Sequence, residues 1–239
     1  MSLPIVFLPG LLCDRALWQG VIPPLESLPQ VAEIQVADLT RDDSMAAMAD
    51  RVLAASPPQF ILGALSMGGY VAFELMRRAP ERVKGLMLLD TQPLPESDAS
   101  REKRLATIEL ARSGKFKGVT RHLLPSLVHE SRVDDPSVAP IVLGMAERVG
   151  VEAFIRQQTA ILGRQDSRPL LARIQCPTLV MVGAQDQITP LGIARDMAAS
   201  IVDSRLVVVT DCGHLPPIER PQIVADQMVR WLGHFSATD

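Results

Sequence analysis

The stretch Phe60-Ile61-Leu62-Gly63-Ala64-Leu65-Ser66-Met67-Gly68-Gly69-Tyr70 decides how this chain folds. An apolar run ends in small residues around one serine. A helix-compatible segment, Tyr70-Val71-Ala72-Phe73-Glu74-Leu75-Met76-Arg77-Arg78, follows at once. A serine held between small residues at a strand-to-helix switch stands exposed at the rim of a buried sheet, positioned as a nucleophile. Glycine is favoured there because the turn is tight and backbones approach closely. Ala64 occupies the first glycine position of the usual G-x-S-x-G pattern, so Ser66 is judged by the rest of the chain.

Working outward, short apolar runs without strict alternation recur at residues 5–8, 34–36, 60–62, 86–89, 179–182 and 206–209. Their length and Val/Ile/Leu content suit strands covered on both faces, as in a parallel sheet. Helix-length segments separate most of them, at 42–53, 67–79, 191–201 and 221–235. Pro190 and Pro221 stand where a first helical turn begins. This alternation predicts an α/β fold, a mostly parallel sheet with helices on both faces. The alternation stops between Pro93 and Ile174, where helix-compatible stretches occur near 100–112, 118–128, 136–149 and 151–162. The expected division is a core of residues 1–92 and 175–239, with 93–174 as a helical cap over the carboxyl ends of the strands, where open α/β sheets bind ligands. Helices packed on the sheet flank are the alternative.

Composition narrows the class. The 239 residues suffice for one substantial core, and 47% hydrophobic content marks a globular protein. Aromatics are only 4%, so aliphatic side chains must fill the interior. A net charge of −3 with no dense Lys/Arg patch gives no reason to expect a nucleic-acid partner. Cys13, Cys176 and Cys212 form no C-x-x-C pair, a usage that fits a reducing compartment. The start lacks a basic leader, and no apolar run reaches membrane-spanning length. A cytoplasmic protein acting on a small molecule, with no membrane association, is the expectation; oligomeric state is open.

A serine hydroxyl needs a base, and the base an orienting acid. Of the four histidines, His122 and His129 lie in the insertion and His234 near the carboxyl terminus. His214 sits in Thr210-Asp211-Cys212-Gly213-His214-Leu215-Pro216-Pro217, directly beyond the last strand. Three carboxylates compete for the third role. Asp186, in Gly183-Ala184-Gln185-Asp186 after the fifth strand, is favoured because its setting parallels that of His214. Asp90, ending the fourth strand, is the rival, and Asp211 can be satisfied within its own turn. No H-E-x-x-H or zinc-type cysteine spacing is present, and Gly10, Gly68, Gly69 and Asp38 make no G-x-G-x-x-G fingerprint. Neither a metal nor a cofactor is expected.

The chain resembles the α/β-hydrolase superfamily, specifically its small cap-bearing esterases, lactonases and carbon–carbon bond hydrolases. The resemblance rests on Leu8-Pro9-Gly10-Leu11-Leu12 with Trp18 downstream, Leu65-Ser66-Met67-Gly68-Gly69, Gly183-Ala184-Gln185-Asp186 and Gly213-His214, and it spans nearly the whole chain. The order Ser66, Asp186, His214 matches that superfamily. Relatives often begin with two further strands; here the first visible strand leads straight into the loop at Gly10, so that front hairpin is expected to be absent. Pro9-Gly10 stands where a His-Gly pair is common. The resemblance implies backbone N–H donors for an oxyanion at Leu11 and Met67.

Leu12, Arg15, Trp18 and Met67, together with insertion residues Phe116, Leu123, Leu124, Leu127, Ile141 and Met145, are candidates for the pocket wall, with packing in the core as the equal alternative for the apolar ones. Arg15 is expected as a solvated surface arginine, with contact to a substrate carboxylate as the alternative. The function expected is hydrolysis of a small or medium carboxylic ester or lactone through an acyl-enzyme. The alternatives are carbon–carbon bond hydrolysis of a β-dicarbonyl compound and a non-catalytic binding protein on the same fold.

Overall fold

All six apolar runs become strands of one parallel sheet in the computed structural model, which describes residues 2–115, 118, 119 and 121–236. The strands are β1 (Leu3–Leu8), β2 (Val31–Val36), β3 (Phe60–Leu65), β4 (Val83–Leu89), β5 (Thr178–Gly183) and β6 (Ser204–Val209), in the order β2-β1-β3-β4-β5-β6. The helices between them are α1 (Ile22–Glu26), α2 (Met45–Ala55), α3 (Met67–Arg78), α4 (Asp98–Arg112), α5 (Leu124–Leu127), α6 (Ala139–Leu162), α7 (Arg168–Leu171), α8 (Leu191–Ser200), α9 (Pro216–Glu219) and α10 (Pro221–Leu232).

Alternation across the pleat explains why the central strands read as unbroken apolar runs. Val6, Leu8, Leu62, Leu86, Leu88 and Val180 face one core, which packs on α2, α3 and α8. Ile5, Phe7, Ile61, Met87, Leu89 and Leu179 face a second, under α1 and α10. Both faces are covered, so almost every position along these strands is apolar. Trp18, in a 3-10 turn after β1, is fully buried in the second core and stacks on Phe7 with ring centroids 4.3 Å apart.

The register carries the chemistry. Leu65 pairs with Leu89, Leu89 with Met181, and Gly183 with Val209. The carboxyl ends of β3, β4, β5 and β6 therefore finish along one edge, and the loops that follow them are neighbours. Between β4 and β5 lies the helical insertion, α4 to α7. Its longest helix, α6, is divided at Gly150, whose φ of +75° and ψ of 173° interrupt the helical geometry, so its two halves correspond to the two stretches expected from sequence. The stretch near 118–128 is shorter than expected: a 3-10 turn at Arg121–Leu123 runs into α5. Among the described residues, no helix is long and apolar enough to cross a membrane.

Candidate active site

Ser66 occupies the junction of β3 and α3 with φ +53° and ψ −114°, a strained conformation for a non-glycine residue. Its neighbours hold it there. Its N–H donates to Leu89 O at 3.0 Å, and its carbonyl accepts from Gly69 N–H at 2.9 Å and from the Thr91 hydroxyl at 2.8 Å. Gly68 is needed because α3 passes directly against β1: a Cβ there would meet Leu8 O at 2.3 Å. At Gly69 a Cβ would meet Thr91 Oγ1 at 2.2 Å. Ala64 lies within β3, fully buried, where its methyl is part of the core between β1 and β4.

The histidine and acid loops meet Ser66 from the two strands beyond. His214 Nε2 lies 2.9 Å from Ser66 Oγ, and His214 Nδ1 lies 2.8 Å from Asp186 Oδ2. Asp186 Oδ2 also accepts the Thr189 hydroxyl at 2.6 Å, and Oδ1 accepts the N–H groups of Ile188 and Thr189. Burial pushes the Asp186 carboxyl up, but its hydrogen bond with His214, the imidazole's charge and the Thr189 and Ile188 donors outweigh this and hold it near a pKa of about 2. An ionised Asp186 accepts the Nδ1 proton, which leaves Nε2 to accept the Ser66 hydroxyl. The side chain of Gln185 accepts Cys212 N–H at 3.0 Å while its backbone N–H donates to Cys212 O at 2.9 Å, tying the acid loop to the histidine loop.

Asp90 does not contact His214 through a hydrogen bond. Its backbone takes φ +42°, Oδ1 accepts Gly183 N–H at 2.9 Å, and Oδ2 has no partner among the described residues. Burial, then the negative charge of Asp186, raises its pKa well above the ordinary carboxylate range. Asp211 is exposed and lies beside Arg220. Asp90, Asp186 and His214 bring one donor atom each within 4.8 Å of one another, the geometry of a small metal cluster. Two of those donors are already committed to each other, which leaves a poor ligand set.

Several supporting groups escaped the sequence reading. Glu219, on α9 and 2% exposed, accepts the N–H groups of Gly213 and Leu215, which flank His214, and of His129 in the insertion. His214 N–H in turn donates to Leu127 O at 2.9 Å. Gln157 on α6, fully buried, accepts Leu12 N–H at 3.1 Å and donates to Leu39 O at 3.1 Å, holding the loop after β1 with Leu12 at φ +57°. A glutamate five positions after His214 and a glutamine inside a helix carry no motif, and only distant contacts give them a role.

A cavity of about 380 Å³ opens over Ser66 and His214. Leu11, Leu12 and Met67 line it, as do Leu123, Leu127 and Met145 of the insertion. Five candidate wall residues are placed elsewhere or not described. Trp18 is sealed in the core against Phe7, because an indole of that size gains more from full burial than from a cavity wall. Arg15 is exposed and borders a separate surface depression with Asp14, Gln19 and Arg148, so it does not reach the Ser66 cavity. Ile141 borders that same depression, Leu124 is fully buried in the core, and Phe116 lies outside the described residues. Among the described residues, the guanidinium in the cavity wall is instead that of Arg104.

Known proteins share the fold of this chain. A pimeloyl-[acyl-carrier protein] methyl ester esterase of Nitrosomonas europaea is 27% identical, over 91% of this chain and 91% of its own. A thermophilic esterase from Thermogutta terrifontis, solved with malate bound, superposes with a TM-score of 0.85 at 32% identity, over 98% of this chain and 90% of its own. An enol-lactonase from Burkholderia xenovorans shares the fold with a TM-score of 0.80 at 21% identity, over 98% and 92% of the two chains. The family model of the alpha/beta hydrolase fold matches residues 4–221, and the chain belongs to that family.

Proposed function

We propose that the protein is a serine hydrolase that cleaves a carboxylic ester or lactone through an acyl-enzyme. The observation that carries this reading is the continuous relay Ser66–His214–Asp186, at 2.9 and 2.8 Å, opening on a cavity walled mainly by aliphatic side chains. In this reading His214 Nε2 takes the Ser66 proton as Oγ bonds to the substrate carbonyl, and Asp186 holds the tautomer and stabilises the imidazolium. The proton then passes to the departing alkoxide. Water, deprotonated by the same nitrogen, attacks the acyl-enzyme and restores Ser66.

The negative oxygen of each tetrahedral intermediate is assigned to the N–H groups of Leu11 and Met67. Neither has an acceptor among the described residues. Met67 opens α3, where first-turn N–H groups have no intrahelical partner. Donors of this kind contribute about 3–4 kcal/mol to the transition state. Residues 93–174 act as the cap: Leu123, Leu127, Val142, Met145 and Phe154 close the cavity opposite the strand ends, a role that flank-packed helices would not have. The names of the relatives, methyl ester esterase and esterase, favour an ester carbonyl over a carbon–carbon bond.

The test is a panel of short acyl esters, lactones and β-diketones with wild-type protein and Ser66→Ala. Ester or lactone turnover that disappears in Ser66→Ala is expected. Cleavage confined to β-diketones would replace the reading with carbon–carbon hydrolysis. A folded protein inert to the panel and to a small fluorophosphonate would favour a binding protein.

A further inference from the structure

Among the described residues, the cavity wall holds one guanidinium or ammonium side chain and no carboxylate. That cation is Arg104, on α4. Its Nη1 donates to Gln158 Oε1, and its Nη2 faces both oxygens of Glu96 at 3.4 Å. That separation is long for a charge-assisted bond, which closes to about 2.7–2.9 Å when the pair is committed.

Glu96 is committed elsewhere. Arg164 Nη1 holds Glu96 Oε2 in a close contact, and both side chains are almost wholly buried. The remaining Arg164 donors reach Leu94 O and Pro95 O, while its guanidinium lies 4.7 Å over the Tyr70 ring. Two guanidiniums thus share one carboxylate, and the surplus positive charge sits on the one that lines the cavity. Arg104 Nε is buried with no partner among the described residues. An under-neutralised cation in a largely apolar chamber is unfavourable unless something answers it. Burial accordingly lowers the Arg104 pKa, partly offset by Tyr70.

We infer that Arg104, with Tyr70 and Gln158 beside it, forms an anion subsite, and that the substrate is an ester or lactone carrying a separate carboxylate. This rests on the proposed ester hydrolysis and names its substrate class. The charge surplus of one matches a monoanion, and the planar fork of a guanidinium takes a carboxylate edge-on through two N–H groups. A phosphate dianion would meet Glu96 at close range, with only one surplus charge to balance two. The subsite takes the role that the sequence left as the alternative for Arg15, and it does so from the insertion.

Half-esters of succinate, glutarate and adipate are compared with methyl esters of matched length in which an isopropyl group replaces the carboxylate. At the best chain length, wild-type kcat/KM is expected to favour the half-ester by about tenfold or more, the size of one charge-assisted pair. Arg104→Met is expected to bring that ratio to about one or below, and Arg104→Lys to an intermediate value. A wild-type ratio near one at every length, or a ratio that Arg104→Met leaves untouched, overturns the subsite. Calorimetric binding of the best half-ester to Ser66→Ala, with and without Arg104→Met, separates this from failure of the hydrolase reading. Arg104-dependent binding supports the subsite even if no ester turns over; equal binding to both proteins refutes it while leaving hydrolysis standing. Should Arg104→Met fail to fold, the wild-type and Arg104→Lys ratios decide.

Discussion

Replacing Glu219 by glutamine changes one buried oxygen to an NH2 group and tests how His214 is held in place. Glu219 Oε1 accepts Gly213 N–H and Leu215 N–H, each at 3.0 Å; Oε2 accepts Gly213 N–H at 3.0 Å and His129 N–H at 2.7 Å. Whichever way the glutamine amide is turned, its nitrogen faces a backbone donor. With its oxygen at the Oε1 site, His129 N–H is orphaned; with its oxygen at the Oε2 site, Leu215 N–H is. A buried unpaired donor costs about 1–3 kcal/mol, and the surviving bonds weaken as their acceptor loses its charge. Relief from burying a carboxylate offsets part of this, so a net loss of about 2–3 kcal/mol is expected in urea denaturation followed by tryptophan fluorescence. His214 is the chain neighbour of Leu215, and its own N–H bonds Leu127 O, two residues before His129. A displacement on the order of 1 Å costs about a hundredfold in rate, so kcat/KM on a neutral ester should fall by about ten- to a hundredfold. Stability within about 0.5 kcal/mol of wild type, with unchanged kinetics, would refute the view that Glu219 holds the histidine loop.

Asp186→Asn removes the acceptor of the His214 Nδ1 proton and should lower turnover on the order of a thousandfold or more, whereas Asp90→Asn should lower it less than about tenfold; the opposite order in steady-state assays would move the acid role to Asp90. Asp186 is held below its unfolded value, so its stabilisation is complete above a pH of about 4 and is lost as pH falls towards about 2. It is worth about 2.5 kcal/mol at most, and the stability gap between wild type and Asp186→Asn should narrow over that window in acid denaturation. A gap that stays constant from neutral pH to pH of about 2 would contradict this. Gly68→Ala forces a methyl against the Leu8 carbonyl, which belongs to the backbone of a central strand and cannot rotate away. A loss of about 2 kcal/mol or more is expected, and a variant as stable as wild type would mean that α3 does not pack on β1 as described.

The fold was legible because its signal is local. The central strands are covered on both faces and read as short apolar runs, and the edge strands β2 and β6 were visible from shorter apolar segments, residues 34–36 around Gln35 and residues 206–209. The helices whose apolar faces meet the sheet were equally plain, to within a few residues at their ends. Legibility fell in the insertion. There the 118–128 stretch makes only short turns; outside it, the short α1 carries too few residues for a period to show.

The sequence by itself determined the strand-turn-helix setting of Ser66, the loop settings of Asp186 and His214, and the order of the three, because each follows its own strand directly and a parallel sheet sends every strand end to the same edge. Only the tertiary structure shows which of Asp186 and Asp90 meets His214. Both carboxylates end neighbouring strands, and the choice depends on which one the loop after β5 turns towards Nδ1 while the other is pinned by Gly183 N–H. It likewise decided that Trp18 fills the core, that Arg15 faces solvent, and that Arg104 enters the cavity, since side-chain direction follows from packing between segments far apart in sequence. Glu219 and Gln157 gain their roles in the same way, from backbone donors brought to them by the fold.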